Sequence, residues 1–532
     1  MSSTKVAEHV ALESLPPVTE NARRLFGSLA YLLRPPLHYL PSELLSEIFL
    51  IATHDTEDRY HALLTPISLS HVSSRWRHVA LSTGGLWTNI ILTFPVSRAQ
   101  ISCAVSWLRR SQSHPLDIFL DFRDPSWDWE LAESSHAFRW QDMEAILRLL
   151  MTHVHRWNRF ELLTDTWAPI YTFLCYTRRV ESAPWLESIS LSRCNACFAS
   201  KGATFAPVEM REPIPLFGGL AFQKLREVSL SGVHIDWALS SLSNLTTLEF
   251  RYLASDVTPS LEEFVGILTE CPNLQKLSII GRGPNLTAIR SQGSPSSDEH
   301  DTNDIHAKIQ PTIHLPHLKH FVFGFADTDY AAKLLSLFSA PLMEELTLEG
   351  FSVGLDLHEP HAPDATPILE WFSVNRQSNV PHTDFTVSSS TSLISLDRIR
   401  SLRLIGIKSD KMTFARLFDE LQGLTHLGLF STETSALLAL MPPTSNGHRL
   451  QPPCPLLKKL ESRDVDPDAF ADLVLARQPI DSGAGLEKTC YEATHDLSSE
   501  DHAKLISAGV NIVFLNSESY EAEHSDPPDI EL

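Results

Sequence analysis

One short phrase constrains this chain more than any other feature. An apolar residue is followed three and five positions on by two more, and the phrase recurs ten times between Trp157 and Leu460. The first copies are Trp157-x-x-Phe160-x-Leu162, Leu186-x-x-Ile189-x-Leu191, Leu225-x-x-Val228-x-Leu230, Leu245-x-x-Leu248-x-Phe250 and Leu274-x-x-Leu277-x-Ile279. The others are Leu318-x-x-Phe321-x-Phe323, Met343-x-x-Leu346-x-Leu348, Ile399-x-x-Leu402-x-Leu404, Leu424-x-x-Leu427-x-Leu429 and a shortened Leu457-x-x-Leu460. Each predicts a strand whose alternate residues point inward. Proline leads into several, as in Cys271-Pro272-Asn273-Leu274, Leu315-Pro316-His317-Leu318 and Cys454-Pro455-Leu456-Leu457. Helical spacing falls between copies: Leu261, Phe264, Val265 and Leu268 after Thr258-Pro259, and Phe414, Leu417, Phe418 and Leu421. Met143, Ile146, Leu147 and Leu150 form another ahead of the first copy.

Strand plus helix per unit resembles the leucine-rich repeat, in which stacked units share one core. The fold class implied is α/β, with an irregular leucine-rich-repeat solenoid. The pitch should be uneven, since copies lie from about 20 to more than 50 residues apart against the usual 20–29. Where regular repeats carry a turn-bonding Asn or Cys, this chain has Val233, Phe351 and Ile407. The alternative is a single α/β domain with leucine-rich strands, but recurrence at ten places favours the solenoid. Two polar insertions, roughly Thr287 to Lys308 and roughly Leu355 to Leu393, read as surface loops or disordered excursions.

Ahead of the repeats, Leu40-Pro41-Ser42-Glu43-Leu44-Leu45-Ser46-Glu47-Ile48-Phe49 opens a helix. Pro41 suits a first helical position, where its missing N–H costs nothing. Leu44, Leu45, Ile48, Phe49 and Ala52 follow at three- and four-residue steps as one apolar stripe. After a polar stretch, Thr65-Pro66 predicts the start of a second helix carrying Leu69, Val72, Trp76, Val79 and Ala80 on one face. Leu86-Trp87 closes the segment after Gly84-Gly85.

In this order, Leu-Pro-x-Glu-Leu-Leu-x-x-Ile-Phe, Val-x-x-Arg-Trp and Leu-Trp resemble the F-box, and the long insertion is similar to that of the large fungal group of F-box proteins. In that family a three-helix module docks on the Skp adaptor subunit of cullin–RING (SCF) ubiquitin ligases. The resemblance covers about a tenth of the chain. It implies that Leu40, Pro41, Leu44, Ile48 and Phe49 pack at the adaptor interface or position the first helix. Leu69, Val72 and Trp76 match the later part of the motif, with Trp76 core rather than contact. Leu40, Ile48 and Phe49 are the side chains expected to dominate binding. Ser73 departs from the cysteine common in the family after the valine.

The expected layout is an N-terminal segment over 1–35, the F-box-like module over 36–91 and a linking cap over 92–156 that holds strand-like Leu116 to Leu120. The solenoid follows over 157–515 and an acidic tail over 516–532.

Composition narrows the function. A formal net charge of -22 argues against nucleic acid as partner, because phosphate binding needs clustered Lys and Arg. Seven cysteines at irregular spacing suit a reducing compartment rather than a disulfide framework. The apolar run Leu25 to Leu33 is too short to span a membrane and lies behind Glu8, Glu13 and Glu20, unlike a signal peptide. A cytoplasmic or nuclear protein away from membranes is expected. There is no G-x-S-x-G elbow, no phosphate loop and no H-E-x-x-H. Cys194 and Cys197 form a lone C-x-x-C, while His314, His317, His320, His358 and His361 lack the four-ligand spacing of a structural zinc site. Neither metal nor cofactor is expected. The sequence therefore points to a non-catalytic adaptor that binds the Skp subunit, through it cullin, and an unknown protein substrate. A scaffold carrying the same module outside a ligase is the alternative, and an enzyme with an unrecognised site the remaining one.

Overall fold

In the computed structural model the described residues are 40–515, apart from 57, 130, 195–204, 206, 287–312, 353–362, 375–393, 446–447, 450–451 and 479–484. The segment 1–35, the first insertion, Cys197, His358, His361 and the tail over 516–532 lie outside them. The chain is mixed α/β and divides into two compact units, Met1–Leu86 and Trp87–Leu532.

The described part of the first unit is three helices, α1 (Ser42–His54), α2 (Arg59–Val72) and α3 (Ser74–Ser82), each packed on the other two. The expected second helix starts earlier and ends sooner than its apolar spacing suggests. Asp58 caps α2 by accepting from the backbone N–H of Tyr60 and His61 at 2.8 and 3.2 Å, as a carboxylate at an N-cap does. Pro66 therefore lies inside α2, on a buried face with Ala62, Leu63 and Ser70. Ser73 then leaves helical geometry, and its hydroxyl accepts from Trp76 N at 3.1 Å to start α3. The residue that departs from the familiar cysteine is thus a cap that splits one predicted helix into two.

The second unit is built on fourteen parallel strands whose spatial order is the chain order. They are β1 (Asn89–Thr93), β2 (Leu116–Asp121), β3 (Trp157–Thr164), β4 (Ser188–Arg193), β5 (Glu227–Ser231), β6 (Thr247–Arg251) and β7 (Lys276–Ile280). The rest are β8 (His320–Phe325), β9 (Glu345–Gly350), β10 (Ser401–Ile405), β11 (His426–Phe430), β12 (Lys459–Arg463), β13 (Lys488–Ala493) and β14 (Asn511–Phe514). All ten phrases lie in this sheet as β3 to β12. β1 straddles the expected boundary between the module over 36–91 and the linking cap over 92–156, and β2 lies within that cap, so the sheet begins at Asn89 rather than at Trp157.

Register explains why the phrase recurs. Ile118, Phe160, Ile189, Val228 and Leu248 stand side by side on successive strands, as do Leu120, Leu162, Leu191, Leu230 and Phe250. The same two apolar rows run on to Leu427 and Leu429. They falter only at Ser462 and Thr489, which is why the last phrase is short and β13 carries none. The proline lead-ins are tight turns: Leu186, Leu274, Leu318 and Leu457 each donate N–H to the carbonyl three residues back at 3.1–3.3 Å. Proline fits the second position of such a turn because its φ is already set. Val233, Phe351 and Ile407, which replace the usual polar turn residue, are at most 1% exposed and extend the core instead.

Helices cover the apolar rows: α4 (Arg98–Arg110), α5 (Trp140–Leu150), α6 (Trp167–Thr177), α7 (Leu261–Thr269), α8 (Thr328–Leu335) and α9 (Thr366–Val374). The series ends with α10 (Lys411–Glu420), α11 (Thr434–Ala439), α12 (Pro467–Ala476) and α13 (Ser499–Ser507). Met143, Ile146, Leu147 and Leu150 are the buried face of α5, as their spacing predicts. The second insertion is not all loop, because α9 lies within it and buries Ile368, Leu369 and Phe372. A sheet whose strand order never reverses lacks the topological switch point at which doubly wound α/β sheets bind ligands.

Candidate docking surface

The first helix has two apolar stripes rather than one. Leu45 and Phe49 are fully buried, whereas Leu44, Ile48 and Ile51 are 51%, 44% and 61% exposed. Pro41, also exposed, precedes them at the same helical spacing. Neighbouring positions on a helix point about 100° apart, so the pairs Leu44-Leu45 and Ile48-Phe49 each send one side chain inward and one outward. Ala52 is exposed and Thr53 buried, its hydroxyl donating to Phe49 O at 2.8 Å.

The inward stripe is fixed by its partners. The Phe49 ring packs on Trp76 with centroids 4.8 Å apart, and the Arg75 guanidinium donates to Leu40 O. Ser46 and Thr83 hydroxyls meet at 2.9 Å, and the His54 ring lies 3.0 Å from Gly85 O. Phe49 is therefore a core residue, and the expectation that it is a dominant contact is corrected: it supports α1 from beneath. Trp76, Leu40 and Leu69 are half-buried. Val72, 61% exposed, ends α2. The missed member of the outward stripe is Ile51, three residues beyond Ile48; its spacing was the available signal.

Leaving four large apolar groups half in water forgoes about 1 kcal/mol each. Singly exposed hydrophobics are ordinary, but three on one helical stripe form a patch of the kind that marks an interaction site.

The second unit offers a different surface. One face of its sheet is apolar and covered, and the other carries polar side chains in ladders. Glu249 meets Lys276 at 2.6 Å and Arg251 at 3.4 Å; His320 meets Glu345 at 2.9 Å; Glu461 meets Lys459 and His426 at 2.5 and 3.0 Å. Burial holds the His426 imidazole below its usual range, while Glu461, which burial would raise, is held low by Lys459 and His426.

At the ends of β2 to β4 lies a buried network. The His136 ring is 3.1 Å from Asp165 Oδ2, which also accepts from Asp124 N at 2.7 Å. Burial opposes the charged ring, yet the Asp165 hydrogen bond prevails and holds His136 above its ordinary value. His234, stacked on Trp167 at 4.6 Å, is pushed down by burial to about 4.

Among the described residues the cysteines are not poised as nucleophiles. Burial pushes Cys103 up to about 11 and Cys454 up to about 12 and raises Cys194, opposite to the depression a reactive thiolate needs. Among the described residues no group of three or more His, Cys, Asp or Glu is placed to hold a metal ion, and no helix is long and apolar enough to cross a membrane. His314 instead faces the Ser339 hydroxyl at 3.3 Å.

No family model matches this chain, and no curated protein matches it.

Proposed function

We propose that this protein is the substrate-recognition adaptor of an SCF-type ubiquitin ligase, an intracellular protein with no catalytic residue of its own. Its F-box-like module docks on the Skp adaptor and, through it, on cullin; its irregular leucine-rich-repeat solenoid holds a protein substrate. The observation that carries the reading is the outward stripe Pro41, Leu44, Ile48 and Ile51 on a helix fixed from beneath by Phe49 and Trp76. It lies on the motif that resembles the F-box, and three helices are the number that family uses. Sequential strand order and two apolar rows that run from β2 to β11 support the solenoid. The polar face of the sheet, which no described helix covers, is the substrate surface. Such an adaptor works by raising the local concentration of substrate lysines near the charged conjugating enzyme.

The test is co-purification with the Skp adaptor and cullin, comparing wild type with Pro41→Ala and Ile48→Ala. Folded wild-type protein that fails to bind the adaptor ends the ligase reading. Undiminished binding in both variants ends the interface assignment. Binding to the adaptor without recruitment of cullin would favour a scaffold that works outside a ligase.

A further inference from the structure

The polar face of the sheet does not carry its charge evenly. In a chain of formal net charge -22, β10 to β13 present Arg403, Lys459, Arg463 and Lys488 against only Glu461 and Glu492. Lys459 is engaged by Glu461 at 2.5 Å. Arg463 lies over the Phe430 ring at 5.5 Å and loosely pairs Glu492 at 3.9 Å. Arg403 and Lys488 are exposed, and among the described residues neither has a carboxylate within ion-pair distance.

Arg403 stands at a depression shared with Glu345, Thr347, Ser401, Thr425 and His426. Glu345 is drawn toward His320 at 2.9 Å, Thr347 is the register neighbour of Arg403 on the preceding strand, and Glu349, two residues on, is a carboxylate that burial holds above its usual range. Between Arg403 and Glu461 in the register sits Gly428. A Cβ there would lie 2.6 Å from the Phe430 ring, so glycine is what lets that ring lie back along the sheet. The floor is low at Gly428, the Lys459–Glu461 pair stands beyond it on β12, and Arg403 and Lys488 flank the stretch on either side.

We propose that this stretch seats an acidic peptide, extended across the strands, with carboxylates four residues apart. The proposal rests on the reading above that this face holds the substrate, and it names the substrate's chemistry. Arg403 on β10 and Lys488 on β13 are three inter-strand steps apart, and the register sets Lys488 in the row of Ser401, two residues along from Arg403, so the two lie about 16 Å apart at about 4.8 Å per step and about 3.4 Å per residue. An extended peptide advances about 3.4 Å per residue and shows alternate residues on one side. Two carboxylates four residues apart, about 14 Å, are the same-side pair nearest that distance, and the long Arg403 and Lys488 side chains span the remainder; three apart, the carboxylates face opposite ways. A nucleic-acid backbone fits poorly, because Glu461, Glu492 and Glu345 interrupt the cations and repel a continuous row of phosphates.

The probe is a fluorescein-labelled twelve-residue peptide of Ala, Ser and Gly with glutamates at positions 4 and 8, titrated with the full chain and followed by anisotropy. Saturable binding is expected, weakening several-fold between about 50 and about 300 mM salt. Moving the second glutamate to position 7 should weaken it about tenfold, and Arg403→Gln or Lys488→Gln about fivefold each, with circular dichroism unchanged. Equal binding of the two peptides, or of wild type and the double variant, overturns the proposal. Tighter binding after removal of 516–532 would make the chain's own acidic tail the occupant and overturn an external partner. The measurement needs no Skp adaptor, so its failure leaves the docking module's own test intact, and the converse holds.

Discussion

Leu44 and Leu45 are the same residue at consecutive positions of one helix, yet one is 51% exposed and the other fully buried. Replacing each by alanine therefore separates docking from folding. A leucine loses three carbons on truncation, about 2.4 kcal/mol if all are withdrawn from water. For Leu44 about half of that is already realised in the free protein. Leu44→Ala should cost about 1 kcal/mol of stability, and about 1.2 kcal/mol of adaptor binding, an affinity loss of roughly eightfold. Adding Ile48→Ala, at 44% exposure, should bring the loss to about fiftyfold. Leu45→Ala removes no exposed surface. It opens a cavity beneath α1 and should cost about 2–5 kcal/mol of stability, while the fraction that remains folded binds the adaptor as wild type does. Calorimetric titration with the Skp adaptor gives the affinities and the active fraction, and urea unfolding gives the stabilities. The reasoning fails if the folded fraction of Leu45→Ala binds as weakly as Leu44→Ala, or if the Leu44, Ile48 double variant binds like wild type.

Two further outcomes follow from buried polar groups in the second unit. His136 is held above its ordinary value, so its charged pairing with Asp165 stabilises fully below about pH 6.5 and that contribution is lost as pH rises through the folded-state value. The stability gap between wild type and Asp165→Asn should accordingly be about 1 kcal/mol larger at pH 6 than at pH 8, measured by urea unfolding at both; a gap that grows with pH contradicts the assignment. Arg477 is buried and donates through Nε and Nη2 to Leu440 O at 3.1 and 2.9 Å and through Nη2 to Pro453 O at 2.5 Å, satisfying one carbonyl at the end of α11 and one in the lead-in to β12. Arg477→Lys keeps the charge but cannot reach both carbonyls at once, and should lower the midpoint of thermal unfolding by an amount equivalent to about 1–2 kcal/mol.

Much of the sheet was legible because its signal is additive. Residues such as Leu346 and Leu348 must face the core on every strand, so the same spacing is imposed again and again. β1 and β2 were harder to place, since Ile90 and Leu92 continue the apolar rows without the leucine lead-in that marks the later strands. β14 shows little pattern because Val513 and Phe514 are exposed at the sheet edge, where no neighbour demands alternation. Helix ends depended on single side chains. Thr65-Pro66 has the look of a start, yet the capping carboxylate of Asp58 begins the helix earlier and the proline is absorbed into the buried face.

The docking helix shows where spacing stops being informative. Three- and four-residue steps merge two stripes when both are apolar, so Leu44, Leu45, Ile48 and Phe49 read as a single broad face. A helix that only served a core would carry polar residues on the flank that faces water. This one carries Leu44, Ile48 and Ile51 there, beside exposed Glu43 and Glu47. The excess apolar width, more than the core can cover, is what the sequence held and what only the packing of Phe49 on Trp76 could divide into support and contact. It also orders the energetics. Contacts made by the outward stripe are strong only while α1 is held in place, so substitutions at Phe49 should abolish docking by unfolding the helix, and substitutions at Ile48 should weaken it in proportion to the area exposed.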